Sequence, residues 1–428
     1  MRLAIFLKGR ISLKKYDLVV VGGGFAGCGA AISAARQGLN VLLIEQGNAL
    51  GGAAVNCLVN PFMPYWTKKD GERYNLSEGL FAEICSELEK LNLNAICGKI
   101  FNEEYLKICL NRMLLSAGAE LLFHSFLSDV QISDNTVSSV EVTSKSGKFN
   151  ICADYFIDAT GDADLAKLAG FPFRLGRETD NLCQPMTLCF RVAGVDLDLF
   201  SEERNNINKL YKEFKADGKI KNHREDVLIF GTLIDSVLHF NSTRIVKLNP
   251  TNTLDVTKAE IEAREQVFEL FTFLHDNFKS FKNSTLLSSA ASIGIRESRM
   301  IDGEYILTGD DLKNCVQFED SIALGNYDID IHNPEGSGTS HYFFPDGEYY
   351  TIPYRSLIPK GAKNLLVAGR CISTDHYAQA SIRIMPIVCC LGEAAGCAAS
   401  VAYKDKCSVG NIDIKKLHDI LKANNSKF

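Results

Sequence analysis

The sequence is poor in the features that would mark a nucleic-acid binder, a secreted protein or a membrane span. No long basic run interrupts a chain of net charge −6 and pI about 5.8, so nucleic acid and anionic membranes are not expected partners. The N-terminal apolar run Leu3 to Leu7 is too short for a secretory signal core. The apolar stretch Ile384–Ala402 is broken by Pro386, Gly392 and Glu393 and reads as a buried helix. There are 14 cysteines but no Cys-x-x-Cys and no regular spacing, which removes a thioredoxin-type pair and a cysteine zinc site. With no export signal, Cys389, Cys390 and Cys397 read as reduced, buried thiols. A cytoplasmic location is the expectation. Repeats and low-complexity tracts are also missing. What remains is a globular composition, 46% hydrophobic and 23% charged over 428 residues, long enough for two domains with cores of their own.

The most informative stretch is Asp17–Glu45. Leu18-Val19-Val20-Val21 reads as a buried strand. Gly22-Gly23-Gly24-Phe25-Ala26-Gly27 is a glycine turn, Ala30, Ala31, Ala34 and Ala35 give a small-residue helix, and Val41–Ile44 is a second strand ending in Glu45. Each part suits an adenine dinucleotide. Gly22 permits the sharp exit from the strand, Gly24 lets the backbone approach a pyrophosphate, and Gly27 lets the helix pack on the sheet. The helix start offers free N–H groups to phosphate. Glu45 stands where a carboxylate accepts ribose hydroxyls, whether of NAD or FAD.

Further along, Ser77–Leu91 has helical spacing with Ser77 as a cap. Asn102 caps a second helix through Leu115, and Phe126–Ile151 alternates as an antiparallel meander. Tyr155-Phe156-Ile157-Asp158-Ala159-Thr160-Gly161-Asp162 repeats the strand-to-glycine theme. From about residue 171 the texture changes to polar helices and isolated strands. Strand, glycine and helix return at Asn364–Ala402, where Gly369-Arg370 ends a buried strand and Pro386 fits the first position of a helix. Such a helix start would stabilise the negative edge of a reduced flavin.

These segments, with Gly51-Gly52, Ser292–Asp311, Ile329–Pro334 and Tyr354–Pro359, resemble the bacterial FAD-dependent oxidoreductase family of the glutathione-reductase structural class. The resemblance implies an α/β chain: a Rossmann-type FAD-binding domain with a small antiparallel meander and an inserted α+β substrate domain. The implied boundaries are 1–170 and 351–428 for the two parts of the FAD domain and 171–350 for the insert. FAD is the implied cofactor. Its contacts fall on Gly22, Gly24, Gly27, Glu45, Gly51, Gly52, Gly161, Asp162, Gly369, Arg370, Met385 and Pro386. A second dinucleotide turn for NAD(P)H is missing, so the middle of the chain is expected to present a small-molecule substrate to the flavin. The expected activity is hydride transfer between that substrate and flavin N5. An NAD-dependent dehydrogenase and a non-catalytic flavin-binding protein are the alternatives. The substrate and the electron acceptor are not specified by the sequence.

Chemistry on the substrate side needs a group that takes or gives a proton and cations for a carboxylated substrate. His376, in the segment between the flavin strand and the flavin helix, is the first candidate, against a histidine bonded only to backbone. Arg296 and Arg355 are the others, each with a plain ion pair as its alternative; for Arg296 and Arg299 the acid would be Glu297 or Glu304. His332 and His341 flank the glycine-rich Asn333–Ser340, read as a lid. With Asp328 and Asp330 they match no recurrent ligand spacing, so no metal is expected. Cys57 and Cys371 are conceivable points of covalent flavin attachment, with buried thiols as the default.

Overall fold

A computed structural model describes residues 15–428; the run Leu3 to Leu7 lies outside the described residues. Its centre is a parallel sheet whose strands run, edge to edge, Glu120–Leu122, Val41–Ile44, Tyr16–Val21, Gly147–Asp158 and Leu365–Val367. The register aligns their ends. Val21 pairs with Ile44 on one side and Asp158 on the other, Asp158 with Val367, and Ile44 with Leu122. Gly22, Glu45, Ala159 and Ala368 therefore leave the sheet side by side along one edge, the carboxyl edge where open α/β sheets bind ligands.

Gly147–Asp158 has two roles. Its first half pairs antiparallel with Thr136–Ser144, which pairs in turn with Phe126–Ser133; its second half joins the parallel sheet. The sequence reads these halves as separate elements because the pattern changes from alternating to fully apolar midway. Burial follows that change: only Ile151 and Ala153 are buried before Tyr155, separated by one residue, and then Phe156, Ile157 and Asp158 are all sealed.

The helix Phe25–Arg36 leaves the first glycine turn and packs along the helix Met385–Asp405. Their approach is set by missing side chains. A Cβ on Gly392 would stand 2.0 Å from the Ala26 carbonyl oxygen, one on Gly396 would stand 2.2 Å from that of Ala30, and one on Gly29 would stand 2.7 Å from that of Cys389. The helix Met385–Asp405 is apolar enough to span a membrane, but all of its apolar window is buried inside the molecule, as a core helix requires.

Caps account for most helix starts. Asn102 accepts the Glu104 N–H (2.9 Å) at the head of Glu103–Ser116, as the sequence predicts. Ser77 does not cap. That helix starts at Leu80 after Gly79, whose φ of +59° only glycine adopts cheaply, and its first N–H reaches Glu393 Oε2 at 3.1 Å, 313 residues away. The distant carboxylate prevails because it is buried in the core, where an unmet N–H is costly.

A second hydrophobic cluster lies apart from the first. The four-stranded antiparallel sheet Ile229–Gly231, Val237–Phe240, Phe190–Ala193, Thr285–Ser289 is covered by Leu197–Ala216 and Thr253–Asn277. Phe190 and Phe240 stack at its centre with ring centroids 4.7 Å apart. One buried ion pair crosses to the first core: Arg191 grips Glu103 with both guanidinium nitrogens, at 2.5 and 2.7 Å. Removing either partner alone would strand a buried charge.

Candidate active site

The predicted cofactor residues converge on the carboxyl edge. Gly22 has φ +103°, and a Cβ there would meet the Ala159 carbonyl at 2.3 Å; one on Gly27 would meet the Gly22 carbonyl at 1.7 Å. These glycines are required by the protein's own backbone. Gly24 differs: beyond its chain neighbours, only Gly52 Cα (3.9 Å) lies within 4 Å of the position a Cβ would take. It fronts open space, as approach by a pyrophosphate requires. Gly51 and Gly52 both have positive φ, and the Gly51 N–H donates to the Gly23 carbonyl at 2.8 Å, fixing the second loop over the first.

Glu45 is buried and braces the turn. Its Oε2 accepts the Gly23 N–H and its Oε1 the Gly47 N–H, both at 2.6 Å. Each oxygen keeps a lone pair, so the carboxylate can hold the loop and still accept a ribose hydroxyl.

Gly161 carries φ +81°, and the space beside it is taken by the Arg370 guanidinium, which bonds Asp162 at 2.7 Å. Arg370 Nε is buried with no partner among the described residues. Gly369 (φ +117°) abuts Ala26. The helix at Met385 starts without a side-chain cap or an acid in its first turn, and so does the helix at Phe25. Two uncapped helix starts, open space at Gly24 and an orphan Arg370 donor fit a group carrying a pyrophosphate and an electron-poor ring. Pro386 is the second helical residue, one position later than expected.

Asp158, not among the expected site residues, is fully buried beneath this loop. It accepts the Thr160 hydroxyl (2.7 Å), the Thr160 N–H (3.0 Å) and the Ala166 N–H (2.9 Å). Burial nonetheless pushes its carboxyl up to about 6. Burial also pushes up the Cys57 and Cys371 thiols, keeping both in the unreactive protonated form.

The residues proposed for chemistry gather beside this cradle, with one exception. The segment 296–299 is anchored on the cofactor loop: Ser298 Oγ donates to Asp162 Oδ1 (2.6 Å), and Arg299 bonds the Asp162 carbonyl (2.9 Å) and Asp164 (2.7 Å). Glu297 is wholly buried. It pairs with neither Arg296 nor Arg299; its Oε1 lies 2.7 Å from His376 Nδ1 and its Oε2 accepts the Gln184 N–H at 2.8 Å. His376 is not in an open loop. It is the first residue of a short helix, His376–Ile382, capped by Asp375, and is 4% exposed. Gln379 on that helix donates to the Arg296 carbonyl (2.7 Å) and accepts from the Gln184 side chain (3.1 Å). Glu297 thus fixes the His376 ring through Nδ1 and leaves Nε2 for a reacting partner. Gln184 and Gln379 had no signal in the sequence; a neutral amide in an apolar segment announces nothing.

Arg355 does not join the group. It is exposed, bonds Asp320 at 2.9 and 3.2 Å, and lies over the Tyr305 ring; the ion-pair alternative describes it. Among the described residues Arg296 has no acidic ion-pair partner. It donates to the Pro185 carbonyl (2.7 Å) and Thr187 Oγ1 (2.5 Å). Burial first, then the nearby Arg383 and Arg224 charges, depress it to about 9.

The glycine-rich segment is the turn of a hairpin, Ile329–His332 with Thr339–Tyr342. It is pinned rather than loose. The fully buried Arg244 donates to the Gly336 and Gly338 carbonyls (3.2 and 2.9 Å) and to His332 Nδ1 (2.9 Å). Because an arginine only donates, His332 carries its proton on Nε2, 3.3 Å from Asp330. Asp328, Asp330 and His341 share a face of the hairpin with ligand atoms within 4.8 Å of one another. His341 bonds Asp328 (2.5 Å), and Asp330 accepts from Arg383 and Tyr327 (both 3.1 Å) as well as facing His332.

Comparison with known proteins agrees with this geometry. Residues 17–421 match the family model described as FAD dependent oxidoreductase. Among similar proteins, digeranylgeranylglycerophospholipid reductase 2 of Methanothermobacter thermautotrophicus is 30% identical over 197 residues, covering 43% of this chain and 48% of that protein. Vinyl phenol reductase of Lactiplantibacillus plantarum is 38% identical over 90 residues, 21% of this chain and 14% of that one. The chain thus spans half the length, or less, of these two relatives. Among solved structures, a geranylgeranyl bacteriochlorophyll reductase-like protein from Thermoplasma acidophilum superposes with TM-score 0.45 at 13% identity, covering 96% of this chain and 83% of that one. A flavin-dependent brominase superposes with TM-score 0.49 at 13% identity, covering 96% and 84%. The family match takes in both glycine turns, the 296–299 segment and the C-terminal strand and helix, and it decides between FAD and NAD: the chain is an enzyme of the FAD-dependent oxidoreductase family.

Proposed function

We propose that the protein moves a hydride between a small organic substrate and the flavin, with His376 handling the accompanying proton. Bound FAD would supply a two-electron acceptor or donor at its N5 atom. The protein's own residues do the rest. Gly24, the Gly51-Gly52 loop and the Phe25 helix start hold the pyrophosphate, Glu45 the adenosine ribose, and Gly369, Arg370 and the Met385–Pro386 backbone the ring side. The cluster built on Phe190–Ala193 covers the substrate and, with the Arg244-pinned hairpin, keeps water out. Glu297 holds the His376 ring so that Nε2 presents or accepts a proton at one position.

The observation that carries this reading is the His376–Glu297 pair. A histidine sealed from solvent and fixed by a wholly buried carboxylate is costly to keep without a use. The names of two relatives, both reductases, favour the direction in which a substrate double bond is reduced and His376 delivers the proton. The test is anaerobic: reduced holoenzyme is mixed with alkenes conjugated to a carbonyl or an aromatic ring, and flavin reoxidation is followed. His376→Asn should retain its FAD and reoxidise about 10²- to 10⁴-fold more slowly. An asparagine variant that matches wild type with every substrate wild type accepts would remove His376 from the mechanism.

A further inference from the structure

Among the described residues one cation beside the His376 helix, Arg296, has no carboxylate paired to it. Three other arginines, Arg383, Arg224 and Arg244, lie close enough to disfavour its charge, and Asp330 close enough to favour it. Each of the three has a carboxylate. Arg224 pairs with Asp226 at 3.0 Å, Arg244 with Glu225 at 3.1 Å and Arg383 with Asp330 at 3.1 Å. Among the described residues no carboxylate lies within ion-pair distance of Arg296, and Glu297, next in sequence, is turned away to His376. A desolvated cation amid other cations is unfavourable unless an anion joins it.

The guanidinium also shows which edge the anion would use. Nη1 is spent on the Pro185 carbonyl and Thr187 Oγ1, while Nη2 makes one long bond of 3.4 Å to Asn241. Among the described residues the Nε–H has no acceptor, and Nη2, with two N–H groups and that single long bond, has one to spare. Nε is not among the solvent-sealed orphan atoms, and the residue is only partly buried, so this edge opens outward. Two parallel N–H groups on that edge match the two oxygens of a carboxylate. Arg296 is placed by its backbone: its carbonyl is held by Gln379, three residues along the helix that His376 begins, and Ser298, two residues on, is tied to Asp162 on the cofactor loop.

We infer that the substrate is a carboxylate, clamped side-on by Nε and Nη2 of Arg296. This rests on the hydride-transfer reading above and narrows it to an unsaturated acid or its saturated counterpart. The clamp fixes one end of the molecule, and the anchoring of Arg296 and His376 to the same helix fixes where the reacting carbon falls relative to the proton donor. Arg296 then sets specificity against neutral analogues, because a missing carboxylate leaves the buried cation unmatched.

The test needs no turnover. Oxidised holoenzyme is titrated with acetate, propanoate, crotonate and benzoate, and in parallel with the matching amides, while the flavin absorbance and the melting temperature are read. At least one acid should perturb the flavin spectrum saturably below about 100 mM, and its amide should not. Arg296→Gln, with FAD retained, should bind that acid about 10- to 100-fold more weakly. Arg296→Lys should recover part of the loss, since the charge returns without the fork. Three results would overturn the inference: no acid binds, amides bind as well as acids, or Arg296→Gln loses FAD while residual holoenzyme binds the acid unchanged. The last would make Arg296 a flavin contact. A normal titration beside an unaffected His376→Asn rate would sink the proton role and leave the carboxylate clamp standing.

Discussion

Gly392→Ala should break the contact that holds the two cofactor segments together. The new methyl carbon would sit 2.0 Å from the Ala26 carbonyl oxygen and 2.8 Å from Ala26 Cα, about 1.4 Å short of ordinary contact. The obstacle is the backbone of another helix, so no rotamer relieves it, and the helices Phe25–Arg36 and Met385–Asp405 must part. Two terms oppose. Replacing a mid-helix glycine by alanine gains up to about 1 kcal/mol of helix propensity. Overpacking a core costs about 1–3 kcal/mol and more where the backbone must shift. The clash prevails, by roughly 2 kcal/mol. Gly396→Ala meets Ala30 at 2.2 Å, one turn along the same contact, so the double variant should cost clearly less than the sum: once parted, the helices admit both methyls. Gly410→Ala, with nothing within 4 Å of the new carbon, is the control and should stay within about 0.5 kcal/mol of wild type. Urea midpoints give the stabilities, and the flavin-to-protein absorbance ratio after gel filtration gives cofactor retention. A Gly392→Ala protein with wild-type midpoint and full flavin would refute the packing argument.

Other expectations follow from single sites. Asp158 has a carboxyl raised to about 6 in the folded chain, so the native state holds the proton more tightly than the unfolded one. Its contribution is present at low pH and lost as pH rises through about 6. Relative to Asp158→Asn, wild type should therefore gain roughly 1.4 kcal/mol between about pH 7.5 and 5; urea melts showing a pH-independent difference would contradict this. Glu45→Ala leaves the Gly23 and Gly47 N–H groups without their acceptor and should give protein that loses FAD on gel filtration, whereas Glu45→Gln retains part of it. Arg355→Ala removes a surface pair with Asp320 and the contact over the Tyr305 ring and should change stability by about 1 kcal/mol or less, with flavin reoxidation unaltered. Glu297→Gln should keep FAD but slow reoxidation, by less than His376→Asn does, because the amide still holds the ring through one hydrogen bond.

The cofactor half of the site was legible because its residues are required one at a time. Gly22, Gly27 and Gly369 answer to backbone conformation and close contact, and such needs leave a mark at fixed spacing. The helix cap at Asn102 was equally local. The catalytic half was less legible because its meaning lies in pairings across the chain. Nothing near Glu297 in sequence says that it will face His376, 79 residues on, instead of the arginines on either side. Gln184, Gln379 and Arg244 carry no pattern at all. Ser77 failed as a cap for the same reason: a carboxylate 313 residues away supplied the acceptor. Arg355 misled because proximity to a family-like segment says nothing about which way a surface side chain turns.

The glycine contact between Phe25–Arg36 and Met385–Asp405 also has a consequence for synthesis. The helix Phe25–Arg36 is made well before the helix Met385–Asp405 that it packs along. Until then the Ala26 and Ala30 backbone lacks its contact with Gly392 and Gly396, and the strand Leu365–Val367 joins the sheet edge only late. A nascent chain of this protein can therefore display the dinucleotide fingerprint without being able to retain the dinucleotide. Cofactor capture waits for residues 385–405, and the close helix contact at Gly392 and Gly396 is missing until they arrive.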